Sequence, residues 1–546
     1  MTFRIRVAQL DAVVGDLAGN AGQIAAAAHA AHAAGACVLL TPALSICGPT
    51  PEDLLLRSSF IAACDDAVKS LAQATAALQG LAIVVGHPQQ AEGGQLVHAA
   101  SVLEGGQVRA RSTQRRLSGQ AAPHEARHFT PGAGGCVFEA GGVRAGLLVG
   151  GDTDDTLEIE RLRQAGASWI VLLRALPYRA GQARALGHAL AARAQAAGLP
   201  LVWVNSVGGQ DQWVFAGGAR VLGADGQASG SAPQFESATL DVLATDASGA
   251  VTLEAPRAPV LGADEELWRA LVLALRDYVR KNGFQRVALG LSGGLDSALV
   301  LALAVDALGA DAVHTLMMPS FYTADISVED AREMARRLGV RHDEVSIAPA
   351  FEAFKATLAP LFAGRPEDTT EENIQARVRG VLLMALSNKL GHLILATGNK
   401  SEAAVGYSTL YGDTCGAYAP LADVLKTTAY RLARWRNAHD PFGTGANPIP
   451  ERILTRPPSA ELRPGQTDQD SLPPYEVLDA IITRYVEQGA SVAELRAEGL
   501  AADVVERVVH LIHQNEYKRR QEPPGPSVST RAFGVDWHYP MTQRFR

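Results

Sequence analysis

The chain has 546 residues, 47% hydrophobic and 19% charged, with a formal net charge of -8. That length exceeds one ordinary hydrophobic core, and that composition is globular rather than disordered. The negative balance, without a Lys/Arg-rich block, excludes an electrostatic footprint for nucleic acid, and no apolar run reaches the roughly 18 residues needed to span a bilayer.

The first residues, MTFRIRVAQLDAVVGD, read as a strand and turn and lack the apolar core of a secretory leader. Short buried strands are expected at 4–10, 37–40, 82–85, 143–149, 169–173 and 201–205. Ala-rich helices are expected between them at 21–34 and 183–197. Such alternation implies α/β layers. Five scattered cysteines, Cys37, Cys47, Cys64, Cys136 and Cys415, form no CxxC pair. They fit a reducing, cytoplasmic compartment rather than a disulfide framework or a zinc site. Two prolines break the pattern at residues 254–263, and an amphipathic helix follows at 265–282. The sequence thus divides into a first domain, 1–255, a linker, 256–264, and a second domain, 265–546. A second α/β series starts at Arg286. Residues 440–474, rich in Pro, Gly and Thr, read as a long functional loop. There is no internal repeat.

The sharpest motif is RVALGLSGGLDSALVLALAVDAL, residues 286–308. A buried strand, 287–291, runs into Ser292, Gly293, Gly294, Leu295, Asp296 and Ser297, and a long apolar helix begins near Ser297. Glycines let a backbone approach a ligand closely, and the free N–H groups and dipole of a helix start favour an anion. Ser292 and Ser297 add hydroxyl donors. Asp296 would repel phosphate, so it is read as a ligand for a Mg²⁺ bridging the phosphates. The loop lacks the lysine of GxxxxGK[ST] and is not a Walker A loop. A plain strand-to-helix turn capped by Ser and Asp is the alternative.

The SGGxDS string resembles the pyrophosphate loop of the ATP pyrophosphatase superfamily, which cleaves ATP to AMP and pyrophosphate while adenylating a substrate oxygen. MMPSFYTADIS, EENIQARVRG, LATGNKSEAAVGYSTLYGD, PSAELRPGQTDQDSLPPYEVLD and NEYKRRQ narrow the likeness to the synthetase half of glutamine-dependent NAD synthetases, over residues 265–546. The resemblance implies a doubly wound parallel sheet. It also implies adenylation of the nicotinate carboxylate of deamido-NAD by ATP, then displacement of AMP by ammonia. It places ATP at Gly290, Leu291, Ser292, Gly293, Gly294, Leu295, Asp296, Ser297 and Thr397, and deamido-NAD at Asn373, Arg377, Glu402 and Lys518. Arg379 joins Arg377 as a candidate for its phosphates. Glu402 is the second acid available to Mg²⁺ beside Asp296. Asp413 and Lys426, 13 residues apart like a pair in the smaller ammonia-dependent enzymes, read as a substrate-orienting acid and a stabiliser of phosphate charge. Taken singly, Arg377 and Arg379 also suit a solvated helix face, Lys518 a helix C-terminus, and Asp413 a turn.

The first 255 residues resemble the amidase domain of the same enzymes, a nitrilase-like α-β-β-α sandwich. The strings that show it are ALSICGPTPEDLL, HEARHFTPG and VNSVGGQDQWVFAGGA. That family uses a Glu base, a Lys for the oxyanion and a Cys nucleophile. Here those positions fall on Ala43, Gln114 and Gly150, with Asp152 retained. Three glutamine-binding positions fall on Gln120, Leu176 and Gln182. The domain is therefore expected to be an inactive glutaminase above a synthetase that uses free ammonia. Cys47 lies in the right loop, four residues after Ala43, without an evident acid–base partner; His124 and His128 read as framework or surface residues. The alternatives are a glutaminase supplied by a partner, an unread glutamine site, or a nucleotide-binding scaffold without catalysis. The family likeness implies a homo-oligomer built on a dimer of synthetase domains.

Overall fold

Strand Val38–Leu40 shows how the first half of the chain is built. Val38 and Leu40 point into one apolar core and Leu39 into another, because successive strand side chains alternate between faces. The computed structural model describes residues 1–91, 93–117 and 125–544. They form two units, Met1–Gln210 with Val214–Leu261, and Gly262–Arg546 with Asp211–Trp213.

The first unit contains a seven-stranded and a six-stranded sheet. In the first, Thr2–Gln9 pairs parallel with Val38–Leu40, which pairs parallel with Ala82–Gln90. In the second, Val143–Val149, Trp169–Arg174 and Leu201–Asn205 run parallel. Antiparallel strands flank both parallel sets. Ile5, Val7, Val84 and Val102 share one core with Leu147, Val149, Val171 and Leu173. Helices Leu17–Ala33 and Ser58–Ala74 cover the outer face of the first sheet, and Thr156–Gln164 and Ala183–Ala197 that of the second. This is the expected α-β-β-α sandwich.

The second unit has a four-stranded parallel sheet in the order Arg341–Glu344, Val313–Met317, Val287–Gly290, Leu393–Leu395. The chain starts at Val287–Gly290, winds outward two strands, then returns to the other side of its first strand. The crevice between the carboxyl ends of Val287–Gly290 and Leu393–Leu395 is therefore a topological switch point, where ligands bind in open α/β sheets. Helix Leu295–Leu308 begins two residues before the expected Ser297, so Asp296 sits in its first turn. A separate helical core of Leu478, Ile482, Leu495, Val508, Ile512 and Trp537 closes the C-terminal part. Residues 440–474 hold short helical turns at Glu451–Thr455 and Asp468–Asp470. Among the described residues no helix is long and apolar enough to cross a membrane.

His87, on Ala82–Gln90, is buried with Nε2 2.8 Å from Ser101 Oγ and Nδ1 3.0 Å from the Pro88 carbonyl. Burial pushes its pKa down to about 4, so folding favours the neutral ring. That stabilisation is present above pH 6.5 and is lost as pH falls toward 4. Over this window wild type should lose on the order of 3 kcal/mol that a His87→Gln variant does not, by denaturant unfolding at pH 7 and pH 4.5.

Candidate active site

A cavity of about 300 Å³ opens at the switch point of the second unit, lined by Gly290 through Ser297 and by Thr397, Glu402, Asp413 and Lys426. Its floor is the glycine loop. Gly293 has φ +76°, and a Cβ there would lie 2.2 Å from the Ser327 carbonyl, so only glycine fits. Ser297 Oγ accepts from the Ser292 amide at 3.2 Å and lies 3.1 Å from Ser292 Oγ. The two hydroxyls thus brace the loop from within. No side chain caps helix Leu295–Leu308. Its first N–H groups are open to an anion.

Above the loop, one ammonium joins two carboxylates. Lys426 Nζ lies 2.5 Å from Asp296 Oδ2 and 3.3 Å from Glu402 Oε1. Its side chain is 3% exposed, against 17% and 19% for the two acids. Burial, with Asp296 and Asp468 adding to it, pushes the Glu402 carboxyl up against the pull of Lys426. Burial alone would lower Lys426, but Asp296 and Glu402 outweigh it and hold the proton on. Two carboxylates that converge on one cation would suit a divalent ion, to which both could supply oxygen ligands. No group of three or more His, Cys, Asp or Glu side chains among the described residues could hold a metal alone.

The positions of these groups follow from local chemistry. Asn399 caps helix Lys400–Val405: its Oδ1 accepts from the Glu402 amide at 3.0 Å, while Glu402 Oε2 accepts from the Asn399 amide at 3.4 Å. Asn399 Nδ2 also donates to Asp296 Oδ1 at 3.2 Å. Asp479 ties this helix to the one bearing Lys426. It accepts from Ser401 Oγ at 2.5 Å, from the Thr427 amide at 2.8 Å and from Thr427 Oγ1 at 2.7 Å.

The remaining expected residues fall in two places. Asp413 lines the cavity, and Oδ1 accepts from the Thr409 amide at 2.7 Å. It is enclosed by protein yet faces the open cavity, so water still reaches it; the enclosure pushes it up to about 6. Asn373, Arg377 and Lys518 do not line the cavity; they gather round residues 406–410. Asn373 accepts from Thr409 Oγ1 at 2.8 Å, exposed Arg377 donates to the Leu410 carbonyl at 3.3 Å, and Lys518 Nζ to the Gly406 and Ser408 carbonyls at 2.7 and 2.8 Å. Arg379, not Arg377, reaches the cavity. Arg456, which the sequence reading missed, lines it too and donates to Ser327 Oγ at 2.8 Å. The N-x-x-E pattern of Asn399 and Glu402 signals a capping box; Asp479 has no comparable local signal.

In the first unit, Gly150 and Gln114 meet. Gly150 stands at φ +62° where strand Val143–Val149 turns into Gly150–Asp154. A Cβ there would lie 2.0 Å from Gln114 Oε1 and 3.0 Å from His98 Nδ1. Ala43 is fully buried in the core between the sheets. Asp152 accepts from the Arg115 and Arg116 amides at 2.7 and 2.6 Å, which accounts for its retention as a backbone anchor. The cavity beside Gly150 is only about 40 Å³. Leu176 exchanges hydrogen bonds with the Asn205 side chain, and Gln182 precedes helix Ala183–Ala197. Cys47 is buried, and burial, with Cys64 beside it, pushes its thiol well up. It is no thiolate nucleophile. His128 Nε2 pairs with Asp53 at 3.1 Å. Gln120 and His124 lie outside the described residues.

A family model described as NAD synthase matches residues 267–522, and one described as carbon-nitrogen hydrolase matches residues 4–247. A glutamine-dependent NAD(+) synthetase of Xanthomonas campestris is 46% identical, covering 100% of this chain and 98% of its own length. A structure of the glutamine-dependent NAD+ synthetase of Acinetobacter baumannii, in complex with ADP, has 38% identity and a TM-score of 0.79 over 99% of this chain and 98% of its own. A glutamine-dependent NAD(+) synthetase of Cytophaga hutchinsonii shares the fold, with a TM-score of 0.83 at 20% identity over 100% of this chain and 98% of its own.

The shared ammonium yields a direct check. Lys426→Met leaves Asp296 and Glu402 facing each other without a cation, so like charges repel once both ionise. Its unfolding temperature should fall further below wild type at pH 8 than at pH 5, and Mg²⁺ should restore part of the loss at pH 8. An equal loss at both values would contradict the electrostatic account.

Proposed function

The chain belongs to the NAD(+) synthetase family, and we propose that it draws on free ammonia rather than glutamine to amidate deamido-NAD. ATP binds over the glycine loop, with its phosphates on the loop amides, the open start of helix Leu295–Leu308 and Lys426. Asp296 and Glu402 would hold Mg²⁺, which neutralises phosphate charge when bound. The nicotinate carboxylate attacks the α-phosphorus; a carboxylate O–P bond forms and the bond to pyrophosphate breaks. Lys426, buried and protonated, stabilises the charge that develops on the phosphates. Ammonia then attacks the acyl carbon, AMP leaves with the C–O electron pair, and the amide nitrogen loses one proton. Asp413 orients the substrate at the cavity wall. Asn373, Arg377 and Lys518 form a second surface round residues 406–410 for the rest of deamido-NAD.

The ammonia reading rests on Gly150. It offers no nucleophile, and Gln114 fills the space into which a side chain would project. Cys47, in the loop after Ala43, is buried, and burial keeps its thiol protonated. A cavity of about 40 Å³ holds a few waters at about 10–15 Å³ each, not glutamine. The names of the relatives favour glutamine as donor, which makes the two readings separable.

The deciding experiment supplies the purified chain with ATP, Mg²⁺, deamido-NAD and either ammonium or ammonia-free glutamine. NAD should form with ammonium only, and Cys47→Ala should leave that rate unchanged; formation with glutamine overturns the ammonia reading. Asp296→Ala and Lys426→Ala should each cut the ammonium-supported rate about 10²-fold or more, in line with loss of a charge-stabilising group. Because the nucleophile is neutral ammonia, the rate at fixed total ammonium should climb through the mildly alkaline range. A flat profile with chemistry rate-limiting would count against direct attack by ammonia.

A further inference from the structure

Among the described residues, three cations line the large cavity of the second unit: Lys426, Arg379 and Arg456. Lys426 is balanced by Asp296 and Glu402, and Arg379 donates from Nε to the Met318 carbonyl at 3.0 Å. Arg456 reaches the glycine turn itself. Its Nη2 donates to the Gly293 carbonyl at 3.4 Å, and Nη1 to Ser327 Oγ at 2.8 Å. Glu461 Oε1 stands 3.6 Å from Nη1, beyond hydrogen-bond reach. That carboxylate is occupied by other donors: Oε1 accepts from Ser327 Oγ at 2.6 Å and Oε2 from the Ala324 amide at 3.3 Å. Among the described residues Nε of Arg456 has no acceptor. The side chain is 25% exposed, so part of its planar fork is open to a guest.

Local chemistry fixes this placement. Arg456 follows the short helix Glu451–Thr455 and precedes Pro457, which biases it toward extended backbone; it stands at φ −73° and ψ 140°. Arg452, in that short helix, donates to Asp330 Oδ1 at 2.8 Å and so anchors it on helix Asp325–Leu338. Ser327 lies in the first turn of the same long helix. Its carbonyl closes on Gly293, and its hydroxyl aims the guanidinium. The glycine turn, the helix start and the arginine thus form one assembly.

The chemistry of the guest follows. A guanidinium offers parallel N–H donors that match two oxygens of one anion. Beside loop amides and an open helix start, the matching anion is a phosphate. The phosphates seated on the glycine loop are those that leave as pyrophosphate when the α-phosphorus is attacked. As the bond from that phosphorus to the bridging oxygen breaks, its electron pair goes to the leaving group, and negative charge builds there.

We propose that Arg456 is a further catalytic residue: its guanidinium grips the β- and γ-phosphates of ATP on the glycine loop and stabilises the departing pyrophosphate. The proposal rests on ATP occupying that loop.

The test titrates the full chain calorimetrically with ATP, pyrophosphate and AMP, at pH 7 with Mg²⁺ and constant ionic strength. In Arg456→Gln, affinity for ATP and pyrophosphate should fall about tenfold or more, as for loss of a charge-assisted hydrogen bond, while AMP binds as to wild type. With whichever nitrogen donor supports NAD formation, kcat should fall about 10²-fold. Arg456→Lys keeps the charge without the fork and should recover part of both losses. Equal losses for pyrophosphate and AMP would make Arg456 a mere brace of the loop and overturn the proposal, as would an unchanged affinity for pyrophosphate. Wild type that binds none of the three ligands would overturn the ATP reading, and the proposal with it. Should Arg456→Gln fail to fold, Arg456→Lys decides: weaker pyrophosphate with unchanged AMP supports the proposal, and pyrophosphate held as tightly as by wild type overturns it.

Discussion

The second unit turns on the buried ammonium of Lys426. Lys426 sits between Asp296 and Glu402, which reach it from two different helices, and it is less exposed than either acid. Breaking such a pair by removing one partner costs several kcal/mol, because a charge is left buried and uncompensated. The surrounding polar residues hold this arrangement. Asn399 fixes the Glu402 helix and touches Asp296, and Asp479 joins that helix to the start of the Lys426 helix. Beneath them Lys400, fully buried, pairs with Asp423 at 2.9 Å and Glu487 at 2.5 Å. Each carboxylate in this layer accepts from named donors, so the site is held by polar satisfaction more than by apolar packing.

That dependence explains what could be read from the chain. The glycine loop was legible because its conformation is largely local: Gly293 stands at φ +76°, where a side chain is strained. The parallel strands were legible because buried strands read as apolar runs. Strand Ala82–Gln90 extends five residues past its expected end at Val85, through His87 and Pro88, polar and proline residues that the apolar pattern cannot announce. Arg377 and Arg379 are two residues apart on helix Thr369–Leu390, so they point to different sides, and only Arg379 reaches the cavity. Spacing alone could not choose between them. Asp479 and the contact of Gln114 with His98 were illegible for another reason. Their roles depend on which partner faces which atom across long stretches of chain.

The two units spread their polar groups differently. In the sandwich unit the core between the sheets is mainly apolar, and Ala43 belongs to it. Stability there comes from area removed from water, roughly 25 cal/mol per Å² of apolar surface, and makes no demand on the polar groups at the sheet end. Asp152 is the exception, since its carboxylate anchors two consecutive amides. An aspartate bound to backbone has a structural task that does not depend on the residue at position 150.

This division explains why positions 43, 114 and 150 carry neutral groups together. Gln114 is wholly buried, with its amide bonded to His98, Arg116 and Glu125. A lysine in that place would bring a buried charge, tolerable only with a paired acid and with work for the pair to do. A glutamate at 43 would need its own partner inside a closed apolar core. With glycine at 150, either charge would cost stability without a reactive side chain beside it to serve. Neutral residues at both places avoid the penalty, and Gln114 supplies the hydrogen bonds to His98, Arg116 and Glu125. The cavity beside them, about 40 Å³ and lined by His98, Glu125 and Arg174, holds no cysteine side chain among the described residues.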